Sequence, residues 1–99
     1  MVAPDVWVIK DDGTDIIRAE AIVTVGRDYN GDVTARLASG EGAAVTLVAH
    51  GTHEGRRTPE DFHRQLIRTV AQLSDAAVAA VVRPVHEEPN GWRWVTEPL

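Results

Sequence analysis

No cysteine occurs in the 99 residues, which removes disulfides and thiolate-bound zinc from consideration and leaves the redox compartment open. Large side chains are scarce. There is one phenylalanine, one tyrosine and one methionine, so the three tryptophans supply most of the aromatic area. Lysine is almost missing: nine of the ten basic residues are arginine, which with plentiful alanine and valine suggests a GC-rich bacterial genome. The longest apolar run, residues 76–82, falls far short of the ~20 residues that a membrane-spanning helix needs, so no membrane partner is expected. Residues 1–5 lack the basic region and apolar stretch of a secretory signal, and a cytoplasmic protein is the default expectation. Fifteen acidic against ten basic side chains leave a net charge of −5, which disfavours general binding to nucleic acid or anionic lipid.

What remains is an ordinary globular composition, 43% hydrophobic and 25% charged, and a length that suits one domain over residues 1–99. Most of the chain alternates with period two, the signature of half-buried strands. Val6-Trp7-Val8-Ile9 is a short apolar run closed by the Asp12-Gly13 turn. Ile17, Ala19, Ala21, Val23 and Val25 alternate with Arg18, Glu20, Ile22 and Thr24 and read as one second strand. Asn30-Gly31 supplies the positive φ of a hairpin turn before Val33, Ala35 and Leu37. Val45, Leu47 and Ala49 follow the turn at Ser39-Gly40-Glu41-Gly42. Four strands with short connections predict an antiparallel meander.

One stretch keeps helical time. Thr58-Pro59-Glu60-Asp61 offers a capping hydroxyl, a first-turn proline and two carboxylates for the positive end of the helix dipole. Phe62, Leu66, Thr69, Val70 and Leu73 then make one apolar stripe with Ile67 at its margin, and Ser74-Asp75 is the expected stop. Residues 76–82 suit either a helical extension or a strand. A strand from about Val78 is favoured, on a sheet edge because of Pro84. Glu87-Glu88-Pro89-Asn90-Gly91 turns the chain into a last strand at Trp92-Arg93-Trp94-Val95-Thr96, completing a C-terminal hairpin. The expected fold is α+β, in the order β-β-β-β-α-β-β. The helix stripe should lie on the meander face made by Val23, Val25, Val33, Leu37, Val45 and Leu47, with Ile16, Ile22 and Val48 on the opposite face. Hairpin strands feeding a helix, as from Ala21-Ile22-Val23-Thr24-Val25 through Val45-Thr46-Leu47-Val48, resemble the layout of several small bacterial regulatory and accessory domains.

Chemistry-bearing residues are dispersed. His50, His53 and Glu54, with His86 further on, are the candidate metal ligands. Their loop spacing does not match a zinc helix with histidines four apart, so no metal and no cofactor is expected. His63 is read as covering the first helical turn. Ser39 and Ser74 sit in no nucleophile elbow, and the pairs Asp11-Asp12 and Glu87-Glu88 fall in turns where carboxylates are ordinarily solvated. No catalytic residue is therefore nominated.

Arg56, Arg57, Arg64 and Arg68 give residues 51–70 a local charge of +1 in an otherwise acidic chain and form a candidate anion or nucleic-acid face. A solvated outer helix face, with Arg64 paired to Glu60, is the plainer reading. Trp7, Trp92 and Trp94 either pack inward or mark an interface. The class expected from these residues is a non-catalytic interaction or regulatory domain, homodimeric and able to take a protein partner. An anion or nucleic-acid binder through the arginine face is the alternative, and a metal-dependent enzyme using the histidines is the third reading.

Overall fold

The computed structural model describes residues 5–38, 43–49 and 57–99. Strands β1 (Val6–Ile9), β2 (Ile16–Arg18), β3 (Ile22–Arg27), β4 (Val33–Leu37) and β5 (Ala44–Val48) precede helix α1 (Phe62–Asp75). Strands β6 (Ala80–Glu87) and β7 (Gly91–Pro98) follow it as a hairpin. The fold is α+β, as the patterning predicts, with one strand more than expected. No helix among the described residues is long and apolar enough to cross a membrane.

The extra strand comes from dividing the run read as one strand from Ile17 to Val25. A single 3-10 turn at Ala19–Ala21 parts it, so that Ile17 pairs with Val8 on β1 while Val25 pairs with Ala35 on β4. Two sheets result. One has the order β2-β1-β6-β7, with β1 and β6 parallel; the other is the three-stranded meander β3-β4-β5. Period-two alternation cannot tell one sheet from two, because Ile17 and Val25 stand in the same phase and both face a common core.

Valines and leucines from both sheets meet the helix in that core: Val6, Val8 and Val82 from the first, Val33, Leu47 and Val48 from the second, Phe62 and Leu66 from α1. The rest of the stripe, Val70 and Leu73, is half-buried against it. Two register shifts alter which strand residues face inward. Between Ile22 and Thr24 the β3–β4 pairing slips, leaving Val23 exposed while Ile22 packs on the core. Between Val33 and Thr34 the β4–β5 pairing slips, and consecutive Leu47 and Val48 are both fully buried. An extra residue in one strand resets the side-chain phase. The expected outward set of Ile16, Ile22 and Val48 is thereby reduced to Ile16.

Helix α1 begins four residues after Thr58. Its N-cap is Asp61, which makes no side-chain cap; its carboxylate instead accepts from Gln65 Nε2 at 2.9 Å. Thr58 is buried and otherwise engaged: its hydroxyl donates to the Gly31 carbonyl at 2.6 Å and accepts from Arg27 Nε at 2.9 Å. The β3–β4 turn so claimed is held from within by Asp28, whose Oδ1 accepts from the backbone of Asn30 and Asp32. At the other end, Val78 donates to Leu73 and Ala77 to Ser74, closing a Schellman motif with Ala77 at φ +54°.

Strand β6 lies inside its sheet rather than at an edge. Its pairing with β1 ends at Val82, and from Arg83 onward it keeps only β7 as a described ladder partner, so Pro84 sits where a proline is tolerated. Asp11 links the two sheets: its N–H donates to the Leu47 carbonyl at 2.8 Å, and its carboxylate accepts from Ala49 N at 3.2 Å.

Candidate functional site

The register slip at Val23 lies beside an apolar depression of the described surface. Where β3 runs beside α1, a groove of about 250 Å³ opens with a wholly aliphatic lining. Leu66 and Val70 form its helix side, and Ala19, Ile22 and Val25 its strand side. Val23, 64% exposed, and Ile67, 55% exposed, stand at its rim with Ala71. Isolated apolar residues on a surface are commonplace, but this lining is contiguous. None of its side chains can donate a proton, coordinate a metal or attack a bond, so what the groove can do is bind apolar groups.

The three candidate arginines among the described residues fall in two places. Arg57 turns to the β3–β4 hairpin and donates to the Tyr29 carbonyl, and Arg56 lies outside the described residues. Arg64 and Arg68 do lie together, flanking Ile67 on the exposed face of α1. Arg68 reaches Asp61 at 4.0 Å, a long contact between exposed groups. The pairing expected between Arg64 and Glu60 is not formed, and Arg64 makes no ion pair among the described residues.

Of the candidate metal ligands, His50, His53 and Glu54 lie outside the described residues. The His86 side chain is 14% exposed, edge-on to Trp92 at 5.3 Å, with Nε2 at 3.9 Å from a Glu88 carboxylate oxygen. Its Nε2 and the Nδ1 of His63 are buried without hydrogen-bond partners among the described residues. No group of three or more histidine or carboxylate side chains able to hold a metal is found among those residues.

The tryptophans are placed by the core. Trp92 and Trp94 pack on Phe62, with ring centroids 6.3 and 4.6 Å away, and both are half-buried. Trp7, half-buried on β1, carries the Arg18 guanidinium 5.0 Å above its ring, a cation–π contact. Arg18 in turn bonds Glu20 at 3.0 Å, and this carboxylate together with Asp5 raises the arginine's pKa further above its ordinary value.

A second cleft, of about 240 Å³, lies where the β1–β2 turn meets the β6–β7 hairpin. Its cations are already matched within it, Lys10 to Asp12 at 3.6 Å and Arg83 to Glu97 at 2.7 Å. A shallow hollow of about 380 Å³ on the β3–β4 surface includes Arg27, whose guanidinium is committed to Thr58.

The sequence singles out Arg64 and Arg68 as a candidate anion face and puts Ile67 at the margin of the helix stripe, but it does not reveal the groove beside them. The opposite wall depends on Val23 turning outward, and alternation alone placed that valine in the core. In comparisons with known proteins, the chain matches no family model, no curated protein and no solved structure.

Proposed function

We propose that the chain is a small non-catalytic interaction domain that binds a protein partner through the groove between α1 and β3. The observation that carries this reading is the contiguous aliphatic lining with Val23 and Ile67 exposed at its rim. Such a surface favours association by removing apolar area from water, worth roughly 25 cal/mol per Å² before the costs of ordering. An apolar fluorescent dye such as anilinonaphthalene sulfonate, titrated into ¹⁵N-labelled protein, tests the surface directly. Amide shifts should concentrate on residues 19–25 and 66–71, and Ile67→Glu should remove them. Shifts spread elsewhere, or unchanged in that variant, would dismiss the groove.

Self-association is a second reading, favoured by strand β7. It is eight residues long and forms an edge of its sheet, with no described strand beyond it. A free edge can pair with its own copy across a two-fold axis. Sedimentation equilibrium at micromolar concentration distinguishes a mass near the 10.8 kDa of one chain from twice that value.

A further inference from the structure

Ile67 belongs to two adjoining depressions. On one side it rims the aliphatic groove, and on the other it forms a hollow with Arg64 and Arg68. Arg64 lies three residues before Ile67 and four before Arg68, spacings that make surface neighbours on a helix, so the two arginines stand in the hollow that adjoins the groove at Ile67. Both arginines are exposed, and their one described ionic contact is the long one from Arg68 to Asp61.

We infer that the groove takes an acidic amphipathic segment of a partner protein. Its apolar side chains enter between Val23 and Ile67, and one or two carboxylates reach Arg64 and Arg68. The inference rests on the reading of the groove as the binding surface and adds the partner's chemistry. Charge complementarity carries it: an apolar slot flanked beyond Ile67 by two cations fits aliphatic or aromatic side chains with carboxylates beside them. Arginine suits this task because its planar fork can grip a carboxylate through two parallel hydrogen bonds.

Two other occupants fit less well. A second copy meeting this one groove to groove would bring the same patch against itself. Four guanidinium groups would then crowd around Ile67, with no carboxylate of the lining to separate them. Among the described residues, nucleic acid would find two cations beside the groove and no aromatic ring in its lining on which to stack a base. Because the chain is acidic overall, it exerts little long-range pull on an acidic segment. The two arginines act at short range, and the contact should weaken with salt only modestly.

The test selects twelve-residue peptides from a random displayed library on the intact protein, on an Arg64→Glu/Arg68→Glu variant and on Ile67→Glu. These positions are exposed, so the variants should fold, as circular dichroism would verify. Peptides from the intact protein should combine Leu, Ile or Phe with Asp or Glu. They should lose about ten-fold or more in affinity on the double charge reversal, by fluorescence anisotropy, and bind Ile67→Glu no better than background. Peptides that need Ile67 but show no preference for acids, or that tolerate the charge reversal, would leave the groove standing and overturn this inference alone. Failure to select any peptide sensitive to Ile67→Glu would overturn both. A labelled single-stranded oligonucleotide that binds and is released by the charge reversal would replace the peptide with nucleic acid. A dimer that Ile67→Glu dissociates would replace it with a second copy.

Discussion

The Trp94 indole N–H donates to the Phe62 carbonyl at 2.8 Å while the two rings stack, their centroids 4.6 Å apart and their planes 16° from parallel. One side chain thus fastens β7 to the first turn of α1 in two ways. Trp94→Phe should keep a stacked ring and lose the hydrogen bond, costing about 1 kcal/mol. Trp94→Ala loses both and should cost about 3 kcal/mol, the lower end for a large aromatic because Trp94 is only half-buried. Urea unfolding measures both, and equal losses would mean that the stack contributes nothing.

Thr58 joins the approach to α1 to the β3–β4 hairpin. Arg27 holds it through Nε on the hydroxyl at 2.9 Å and Nη2 on the carbonyl at 2.7 Å. Thr58→Val keeps the shape but deprives both the Gly31 carbonyl and Arg27 Nε of a partner, so a loss of about 2 kcal/mol is expected. Thr58→Ser should recover most of it. A valine variant as stable as the parent in thermal melts would show the hydroxyl to be dispensable.

Ala77 holds a left-handed conformation at φ +54°, where a β-carbon crowds the backbone. Ala77→Gly should relieve this at the end of α1 and stabilise the fold by about 1 kcal/mol. For a domain of this size that corresponds to a rise in Tm of about 5 °C, readable by calorimetry. A fall in Tm would mean that the greater freedom of glycine in the unfolded chain outweighs the relief.

Asp12 is exposed, and Thr14 holds its carboxyl below the ordinary carboxylate pKa. The Thr14 hydroxyl donates to Oδ1 at 2.7 Å and the Thr14 N–H at 3.0 Å, with a smaller pull from Lys10. A depressed folded-state pKa favours folding above the unfolded carboxylate value. That contribution is lost as pH falls through the depressed one. In an NMR titration the Asp12 midpoint should lie below those of solvated aspartates, and Thr14→Val should raise it. An unmoved midpoint in that variant would assign the shift elsewhere.

Much of the fold was legible where local spacing decides the outcome. Phe62 and Leu66 lie in the core because residues four apart share a helix face, and the turn before Gly91 marks the C-terminal hairpin. Partition into two sheets was not legible, because Ile17 and Val25 sit in the same alternating phase yet serve different strands. Nor were the register slips at Val23 and Leu47, which carry no glycine or proline to announce them. Thr58 had the chemistry of a helix cap, but a buried carbonyl at Gly31 and a distant arginine engaged it instead. Of the candidate site, the helix side with its arginines could be read, whereas the strand side waited on the slip at Val23.

The parallel pairing of Val6 with Ala80 has a consequence for how the molecule assembles. The meander β3-β4-β5 joins near neighbours in sequence and can close early. The β1–β6 ladder must bring together segments separated by about three-quarters of the chain, and that search costs entropy before any contact rewards it. Closure of the four-stranded sheet is thus the expected late event. In a chevron analysis, Val8→Ala should chiefly speed unfolding, while Ala35→Gly in the meander should chiefly slow folding. The reverse pattern would put the distant ladder in the nucleus, and the segments farthest apart in sequence would have to meet first.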